Sequence, residues 1–354
     1  MSKGKAYYIK TLDGWRGIAV IAVILSHLKD SVLSPSSSLF PVFASGLNGV
    51  DLFFAISGFL IASNIFKELD RTDTIDFKKF YLKRFFRLMP AAWLYLLIIF
   101  LMSPVLIKVY DIEIISTLTF WRNYLILEDP NASYTGQFWS LMIEEHFYLF
   151  LPLLLFTVRK PQKLLMAVIL IGIAVAVWRK LGTMSGVVAI FPPIRFTMWY
   201  TFGRFDTLLY GVLLAILQRH YPQVTDKLKR ISPYLPLMAL IILFVLRVPF
   251  RPVLEALLYP LIFFSTINHE ESYLSQILEN RVLRYVGTIS YSLYIWQQLF
   301  VHRFTGGPDW FKALGGEWHS VLIIFAVAAL SYHLIEDPFR RLGTKIMNNS
   351  KGSS

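Results

Sequence analysis

The chain has 354 residues, of which 55% are hydrophobic and 16% are charged, and its formal net charge is +12. Soluble domains carry about 25% charged residues, so this composition is typical of a protein that has lipid as its solvent. The basic residues lie between apolar segments and not along one face or tail, which argues against nucleic-acid binding. Because the sequence contains no cysteine, it excludes disulfides, thiolate metal sites and cysteine nucleophiles.

Ten apolar segments are long enough to cross a membrane, since a spanning helix needs about 20 mainly apolar residues. A further stretch at 112–127 is interrupted by Arg122 and Asn123, which predicts an interfacial or re-entrant segment. We therefore predict an all-α integral membrane protein, a bundle of about ten transmembrane helices. In chain order the predicted spans are 13–31, 48–66, 88–107, 139–157, 164–181, 199–217, 233–250, 252–267, 283–302 and 318–336.

The distribution of Lys and Arg predicts the orientation of the bundle. With ten spans, 24 basic residues lie on the side of the N terminus, 10 lie on the opposite side and Arg204 lies within a span. The positive-inside rule then places both termini in the cytoplasm. The first segment lacks a small-residue cleavage site, so we interpret it as a retained helix. We expect a multi-pass protein of the plasma membrane (the inner membrane of a bacterium), with one transmembrane domain over 1–354 that includes a polar tail at 345–354.

The first predicted helix contains two ionisable residues, Arg16 and His27. Eleven helical steps bring the second side chain to within about 20° of the first and about 16 Å along the axis. Ionisable groups inside a span are costly and usually mark a functional path. The alternative is that His27 is a hydrogen-bonded core residue and that Arg16 only extends toward the cytoplasm.

Three further spans contribute ionisable residues at the depth of His27. Placing each helix by its midpoint puts Asp51, Glu144 and Arg204 with it, about 6–9 Å outward of the bilayer centre. A structural salt-bridge cluster would explain the charged residues, whereas a reaction centre explains the histidine as well. In that hypothesis a histidine beside a carboxylate deprotonates a hydroxyl, and the arginine opposes negative charge that develops on an acyl oxygen.

A second group of basic residues lies at the predicted cytoplasmic end. Arg84 and Arg87 are three residues apart and share a helix face. They either contact lipid headgroups or, together with Arg16, clamp the phosphates of a ligand.

Seven motifs, spread over nearly the whole chain, resemble those of the acyltransferase family 3 membrane proteins, which O-acylate sugars and other hydroxyl compounds. The first motif has the family's Arg-x10-His spacing, and the third has its Arg-x-x-Arg pair followed by a proline. Single motifs of this kind are weak signals, but the ordered set is specific. The motifs are Leu12–Ala19 with His27, Gly49–Ile61, Arg84–Pro90, Trp139–Tyr148, Arg204–Asp206 with Gly211, Ser290–Tyr294 and Glu336–Phe339.

The resemblance implies an acyl-coenzyme A donor on the cytoplasmic side, most often acetyl-CoA, and no permanently bound cofactor or metal. It implies an acceptor hydroxyl on a carbohydrate or lipid-linked glycan, and it points to Trp139, Tyr148 and Asp206 as substrate-binding residues. One departure stands out. Many relatives carry a histidine just after the Ser-Tyr-Ser-Leu-Tyr motif where this chain has Gln297, so we assign no proton transfer to that position.

Two rival functions use the same residues. A proton-coupled transporter would relay protons through the intramembrane histidine, aspartate and arginine, but it is typically built from two related halves with broken helices, and we find no such repeat. A structural subunit that only contacts membrane lipid would not need acids and a histidine at one depth. Consumption of the thioester by purified protein separates the enzyme from both rivals.

Overall fold

The structure is a computed structural model that describes residues 9–32, 47–103, 106–125, 134–191, 200–246, 251–301 and 306–349. Throughout these ranges the regular secondary structure is helical, which confirms the all-α prediction. The α-helices, numbered here α1 to α17, are Lys10–Val32, Leu47–Thr72, Phe77–Met102, Asp111–Leu118, Phe138–Thr157, Pro161–Leu181, Ser185–Ile190, Phe205–His220, Pro222–Leu228, Tyr234–Leu246, Arg251–Asn268, Tyr273–Leu278, Arg281–Thr288, Ser290–Phe300, Asp309–Lys312, Ser320–Ser331 and Asp337–Asn349.

Six stretches among the described residues are long and apolar enough to cross a membrane. They correspond to the first five predicted spans and the last one, and their length and composition support the membrane character of the chain. The other predicted spans coincide with the shorter helices α8, α10 and α11 and with the pair α13 and α14, so the number of crossings and the location of the termini stay predictions. The six stretches are Lys10–Leu28, Gly49–Thr72, Phe77–Met102, Phe138–Thr157, Pro161–Leu181 and Ser320–Asn348.

The third helix begins earlier than the span predicted at 88–107. α3 starts at Phe77, because the Asp76 side chain caps it by accepting a hydrogen bond of 2.9 Å from the backbone N–H of Lys79. The basic stretch that contains Arg84 and Arg87 is therefore helical. Its side chains are thus held in fixed directions on one helix.

Two other predicted features are helical in part. The stretch at 112–127 forms α4 and then a 3-10 turn over Arg122–Tyr124, in line with the predicted interruption, although 126–127 lie outside the described residues. Of the predicted polar tail at 345–354, the residues up to Asn349 belong to α17, and 350–354 lie outside the described residues.

The centre of the bundle is a close pair of helices, α2 and α8. A Cβ atom added to Gly58 of α2 would lie 2.0 Å from the carbonyl oxygen of Leu208, and one added to Gly211 of α8 would lie 2.1 Å from that of Ala55. Only glycine allows two backbones to approach so closely, as in packed membrane helices. α1 packs against α2 on one side and against α13 and α14 on another, so these helices form one frame.

The C-terminal helices complete the frame against α3. α16 continues through a π-helical turn, Tyr332–Glu336, into α17, and both this turn and α17 pack on α3. π-turns are rare and are frequently found at functional sites. This one buries Glu336, which is 5% exposed, next to α14.

Candidate active site

A cavity of about 170 Å³ lies between α1, α2, α3, α5 and α14. Its polar wall contains the guanidinium groups of Arg16, Arg84 and Arg87, the carboxylate of Glu144 and the hydroxyl of Tyr148. Its apolar wall comes mainly from α2. The α2 lining residues are Val50, Phe53, Phe54, Ile56, Ser57, Leu60, Ile61 and Asn64.

Arg84 is held in the cavity wall by two aromatic rings. Its guanidinium carbon lies 3.8 Å from the ring centroid of Tyr148 and 4.6 Å from that of Phe80. Cation–π contacts of this kind orient a planar guanidinium and reduce the entropy lost when it binds a ligand. The Nε atom of Arg84 is buried and has no hydrogen-bond partner among the described residues. A buried donor without a partner is costly, so this orientation of Arg84 is maintained against a desolvation penalty.

Glu144 faces the same arginines from α5. The Tyr148 hydroxyl, one helical turn further along, donates a hydrogen bond of 2.8 Å to Glu144 Oε2. The Ser57 Oγ lies 3.0 Å from that hydroxyl, and since the tyrosine proton goes to the carboxylate, the serine donates. Arg16, Arg84 and Arg87 all lie close enough to interact electrostatically with Glu144. The cavity therefore holds three cations and one hydrogen-bonded anion.

A second carboxylate, Glu336, lies behind the arginines. The Ser292 hydroxyl donates a hydrogen bond of 2.9 Å to Glu336 Oε2, and Arg87 and Arg16 interact with this carboxylate electrostatically. The sequence identified Glu336 only as part of a family motif and gave it no role. Its placement depends on the π-helical turn, which shifts the register between α16 and α17 and has no signature in the residue pattern.

Asp51 and Arg204 form a buried ion pair. The Nη1 atom of Arg204 donates to both carboxylate oxygens, at 2.7 and 2.9 Å. Arg204 is 2% exposed and Asp51 is 6% exposed. The guanidinium carbon of Arg204 also lies 5.8 Å from the ring centroid of Trp139. The structure thus brings together two of the predicted catalytic residues and one predicted substrate-binding residue.

Asp206 has a partner inside the bundle. Arg179 of α6 donates two hydrogen bonds to its carboxylate, and Asp206 also accepts one from the backbone N–H of Thr207 at the start of α8. The side chain is completely buried. The predicted role of Asp206 toward a substrate stays a prediction, because the contacts that the structure gives it are internal.

His27 contacts the last of the site helices. Its Nδ1 atom lies 2.9 Å from Oε1 of Gln297 on α14, and Gln297 is completely buried whereas His27 is exposed. The partner that we expected beside this histidine was a carboxylate, and the partner at Nδ1 is an amide. No residue spacing could have predicted this contact, which joins positions 270 residues apart.

The predicted residues therefore fall into distinct groups. Glu144 and Tyr148 share the cavity with the three arginines, while Asp51 and Arg204 pair with each other beside Trp139. Within the described ranges, no group of three His, Asp or Glu side chains is arranged to hold a metal ion. The side chains in these groups can transfer protons through carboxylate and imidazole and can stabilise negative charge through arginine.

Comparison with known proteins identifies the family. A family model described as "Acyltransferase domain" matches residues 9–335. The chain belongs to this acyltransferase family. Arg16, His27, Asp51, Glu144 and Arg204 fall within the match, which ends one residue before Glu336. The family resemblance drawn from the motifs is confirmed.

Similar proteins with assigned names are O-acetyltransferases. The chain is 31% identical to the peptidoglycan O-acetyltransferase OatA of Listeria monocytogenes, over 98% of this chain and 57% of the relative. It is 32% identical to a putative O-acetyltransferase of Staphylococcus aureus strain COL, over 97% and 59%. It is 29% identical to the O-acetyltransferase OatA of S. aureus strain NCTC 8325, over 96% and 58%. The chain thus spans somewhat more than half the length of these relatives, and no solved structure matches it.

Proposed function

We propose that this protein is a membrane-embedded O-acyltransferase of the plasma membrane, which moves an acetyl group from cytoplasmic acetyl-CoA to a hydroxyl of a cell-surface carbohydrate or lipid-linked glycan. The observation that carries the proposal is the cavity in which three arginines meet an apolar wall. Membership of an acyltransferase family and the names of the relatives support the reaction class. The bundle has about ten spans and both termini in the cytoplasm.

The chemistry of the cavity suits an acyl-CoA. The donor carries several phosphates on its nucleotide and a neutral pantetheine arm that ends in the thioester. Arg16, Arg84 and Arg87 offer fork-shaped donors to the phosphates, and the buried Nε of Arg84 has no other hydrogen-bond partner among the described residues. The phenylalanine and leucine side chains of α2 provide an apolar surface for the arm.

The reacting end of the donor lies toward His27. On one helix, His27 is about 16 Å beyond Arg16, a distance that the pantetheine arm can bridge. The imidazole removes the proton from the acceptor hydroxyl while the oxygen attacks the thioester carbonyl carbon. The new C–O bond forms, the C–S bond breaks, and the coenzyme A thiolate leaves and is protonated. The products are an O-acetyl ester and free coenzyme A.

The other predicted residues support this step. Arg204 opposes the negative charge on the acyl oxygen, and Asp51 keeps the buried guanidinium in place through the two hydrogen bonds from its Nη1. Glu144 balances the arginines of the donor site. Trp139 and Tyr148 contact the substrates from α5. Asp206 anchors the start of α8 through its ion pair with Arg179.

The acceptor class is proposed from the relatives. One of them is named for peptidoglycan, and the others are named only for O-acetyl transfer. A glycan hydroxyl reaches His27 from the outer side of the membrane, where predicted interfacial residues such as Trp121 and Tyr124 offer aromatic surfaces. The reaction therefore joins a cytoplasmic donor to an acceptor on the opposite side.

The test is consumption of acetyl-CoA by the purified protein in detergent, with a glycan acceptor mixture. We expect wild-type protein to release free coenzyme A and His27→Ala to release none above background, because the general base is gone. His269→Ala is the matched control, since it removes another histidine, one whose Nδ1 lies 2.9 Å from the carbonyl oxygen of Ser265, four residues before it.

A single size-exclusion peak at the wild-type elution volume would show that each variant is folded. Full activity of His27→Ala would contradict the proposed mechanism. Binding of acetyl-CoA without any release of coenzyme A would favour a carrier or a structural subunit.

A further inference from the structure

Gln297 occupies an unusual position for an amide. It is completely buried on α14, and the bond from its Oε1 to His27 Nδ1 is 2.9 Å long. Its Nε2 atom has no hydrogen-bond partner among the described residues. The only polar contact that the structure gives this side chain is therefore the one to the histidine. A buried amide that is only half satisfied is costly, which calls for a function that retains it.

The direction of this hydrogen bond decides which ring nitrogen of His27 is basic. A carbonyl oxygen can only accept, so Nδ1 must carry the hydrogen. In a neutral imidazole the lone pair then lies on Nε2, which is the atom able to take a proton. The reversed amide would present its NH2 group to Nδ1 and would leave the hydrogen on Nε2. A neutral ring in that tautomer cannot act as a base through Nε2.

We infer that Gln297 is a positioning residue that holds His27 in the tautomer whose Nε2 accepts the proton of the acceptor hydroxyl. This inference rests on the proposed function and deepens it. During transfer, the hydroxyl proton moves to Nε2 as the new C–O bond forms and the C–S bond breaks. The ring is then positively charged, and Nδ1–H still donates to the Gln297 oxygen, whose dipole stabilises the charge. The proton on Nε2 leaves with the thiolate as free coenzyme A.

A residue that orients a catalytic histidine contributes strongly to the rate. General-base catalysis contributes about 10²–10⁴-fold, and enforcing the wrong tautomer in a serine protease costs about 10⁴-fold. The loss falls on the chemical step, since Gln297 does not line the cavity assigned to the donor. A change at Gln297 is therefore expected to lower kcat and to leave KM for acetyl-CoA nearly unchanged.

Two substitutions of nearly equal size separate positioning from packing. Gln297→Met keeps the volume and removes the acceptor, whereas Gln297→Glu keeps an acceptor that cannot donate when ionised. We expect Gln297→Met to lower kcat by about 100-fold with KM for acetyl-CoA within about twofold.

Gln297→Glu should retain most of the activity, but only at higher pH. The added negative charge favours the protonated imidazole, so the acidic limb of the kcat profile moves to higher pH. Gln298→Met is the matched control, because it removes a buried amide from the next position, about 100° around α14.

The outcomes distinguish this inference from the proposed function. Activity in His27→Ala would overturn both. An inactive His27→Ala together with wild-type kcat in Gln297→Met would overturn the positioning role alone. Equal loss in Gln297→Met and Gln297→Glu across the whole pH range would also overturn it, since the acceptor would then be irrelevant. Thermal unfolding of each variant in detergent shows whether a loss comes from misfolding.

Discussion

The aromatic contacts of Arg84 separate it from the lysines of the same helix. Lys83, its neighbour, is exposed, whereas the Arg84 guanidinium lies over the Tyr148 ring. A guanidinium stacked in this way keeps its charge and its fork of donors in one orientation, which an ammonium cannot do. At the scale of single residues, these contacts preorganise Arg84 for the anion-binding role that we propose for the arginine cluster.

Arg84→Ala is expected to raise KM for acetyl-CoA by about 10–100-fold, because a hydrogen bond to a charged group contributes about 1.5–3 kcal/mol. Arg84→Lys should recover only part of the loss, since lysine keeps the charge but not the planar fork. Steady-state release of coenzyme A measures both. Lys83→Ala is the control and should leave KM unchanged. An equal rise in KM for Lys83→Ala would show that general positive charge at the membrane surface is responsible.

The Asp51–Arg204 pair gives a prediction on stability. Asp51→Asn leaves a buried guanidinium without its counter-charge, which costs about 3–5 kcal/mol. Thermal unfolding in detergent should show a large drop in Tm. Replacing both partners with apolar residues, Asp51→Leu with Arg204→Met, should recover the stability, because an apolar pair of similar volume is often as stable as a buried ion pair.

The activity of the double variant then reveals the role of the pair. Stable protein without acetyl transfer supports the catalytic role proposed for Arg204. Stable protein with full transfer would contradict that role and would leave the pair a structural one.

At the scale of helices, α2 and α8 set the geometry of the site. α2 supplies the apolar wall of the cavity and Asp51, and α8 begins directly after Arg204. Their contact at Gly58 and Gly211 fixes both elements relative to each other. A change in this contact is expected to disturb the cavity and the ion pair together.

Gly211→Ala tests this contact. The added methyl group would lie 2.1 Å from the Ala55 carbonyl oxygen, so the helices must separate, at a cost of about 1–3 kcal/mol. We expect a lower Tm and reduced activity. Gly186→Ala is the matched control, because a Cβ at Gly186 would meet nothing within 4 Å, and this variant should unfold like the wild type. Unchanged stability of Gly211→Ala would mean that the two helices are less tightly packed.

Sequence reasoning located the helices and the arginine cluster because both follow from local periodicity. Arg84 and Arg87 share a face whatever the neighbours are. The hydropathy pattern does not predict the start of α3 at Phe77. Hydropathy identifies the apolar part of a helix and gives no signal for the polar helical turns that precede it. The predicted membrane depth of Glu144 groups it with His27. Depth does not determine the direction in which a side chain points around its helix axis, however, and the Glu144 side chain faces the arginines. The His27–Gln297 bond needs the tertiary structure, which no local pattern contains.

At the scale of the whole molecule, the absence of cysteine makes the predicted topology directly measurable. Lys227 and Asp309 are exposed, and the prediction places them on the cytoplasmic and outer sides of the membrane, respectively. In intact cells, a membrane-impermeant maleimide should label Asp309→Cys and not Lys227→Cys, and lysis should expose both. Labelling of Lys227→Cys in intact cells would contradict the predicted orientation, and the unsubstituted chain is the blank.

The size of the cavity also has a consequence for inhibition. At about 170 Å³ it is smaller than the roughly 300–1,000 Å³ pockets that enclose drug-sized ligands. A coenzyme A thioester would therefore enter arm first and leave its adenine outside the bundle. Short pantetheine-like amides with an anionic tail should compete with the donor although they lack the nucleotide.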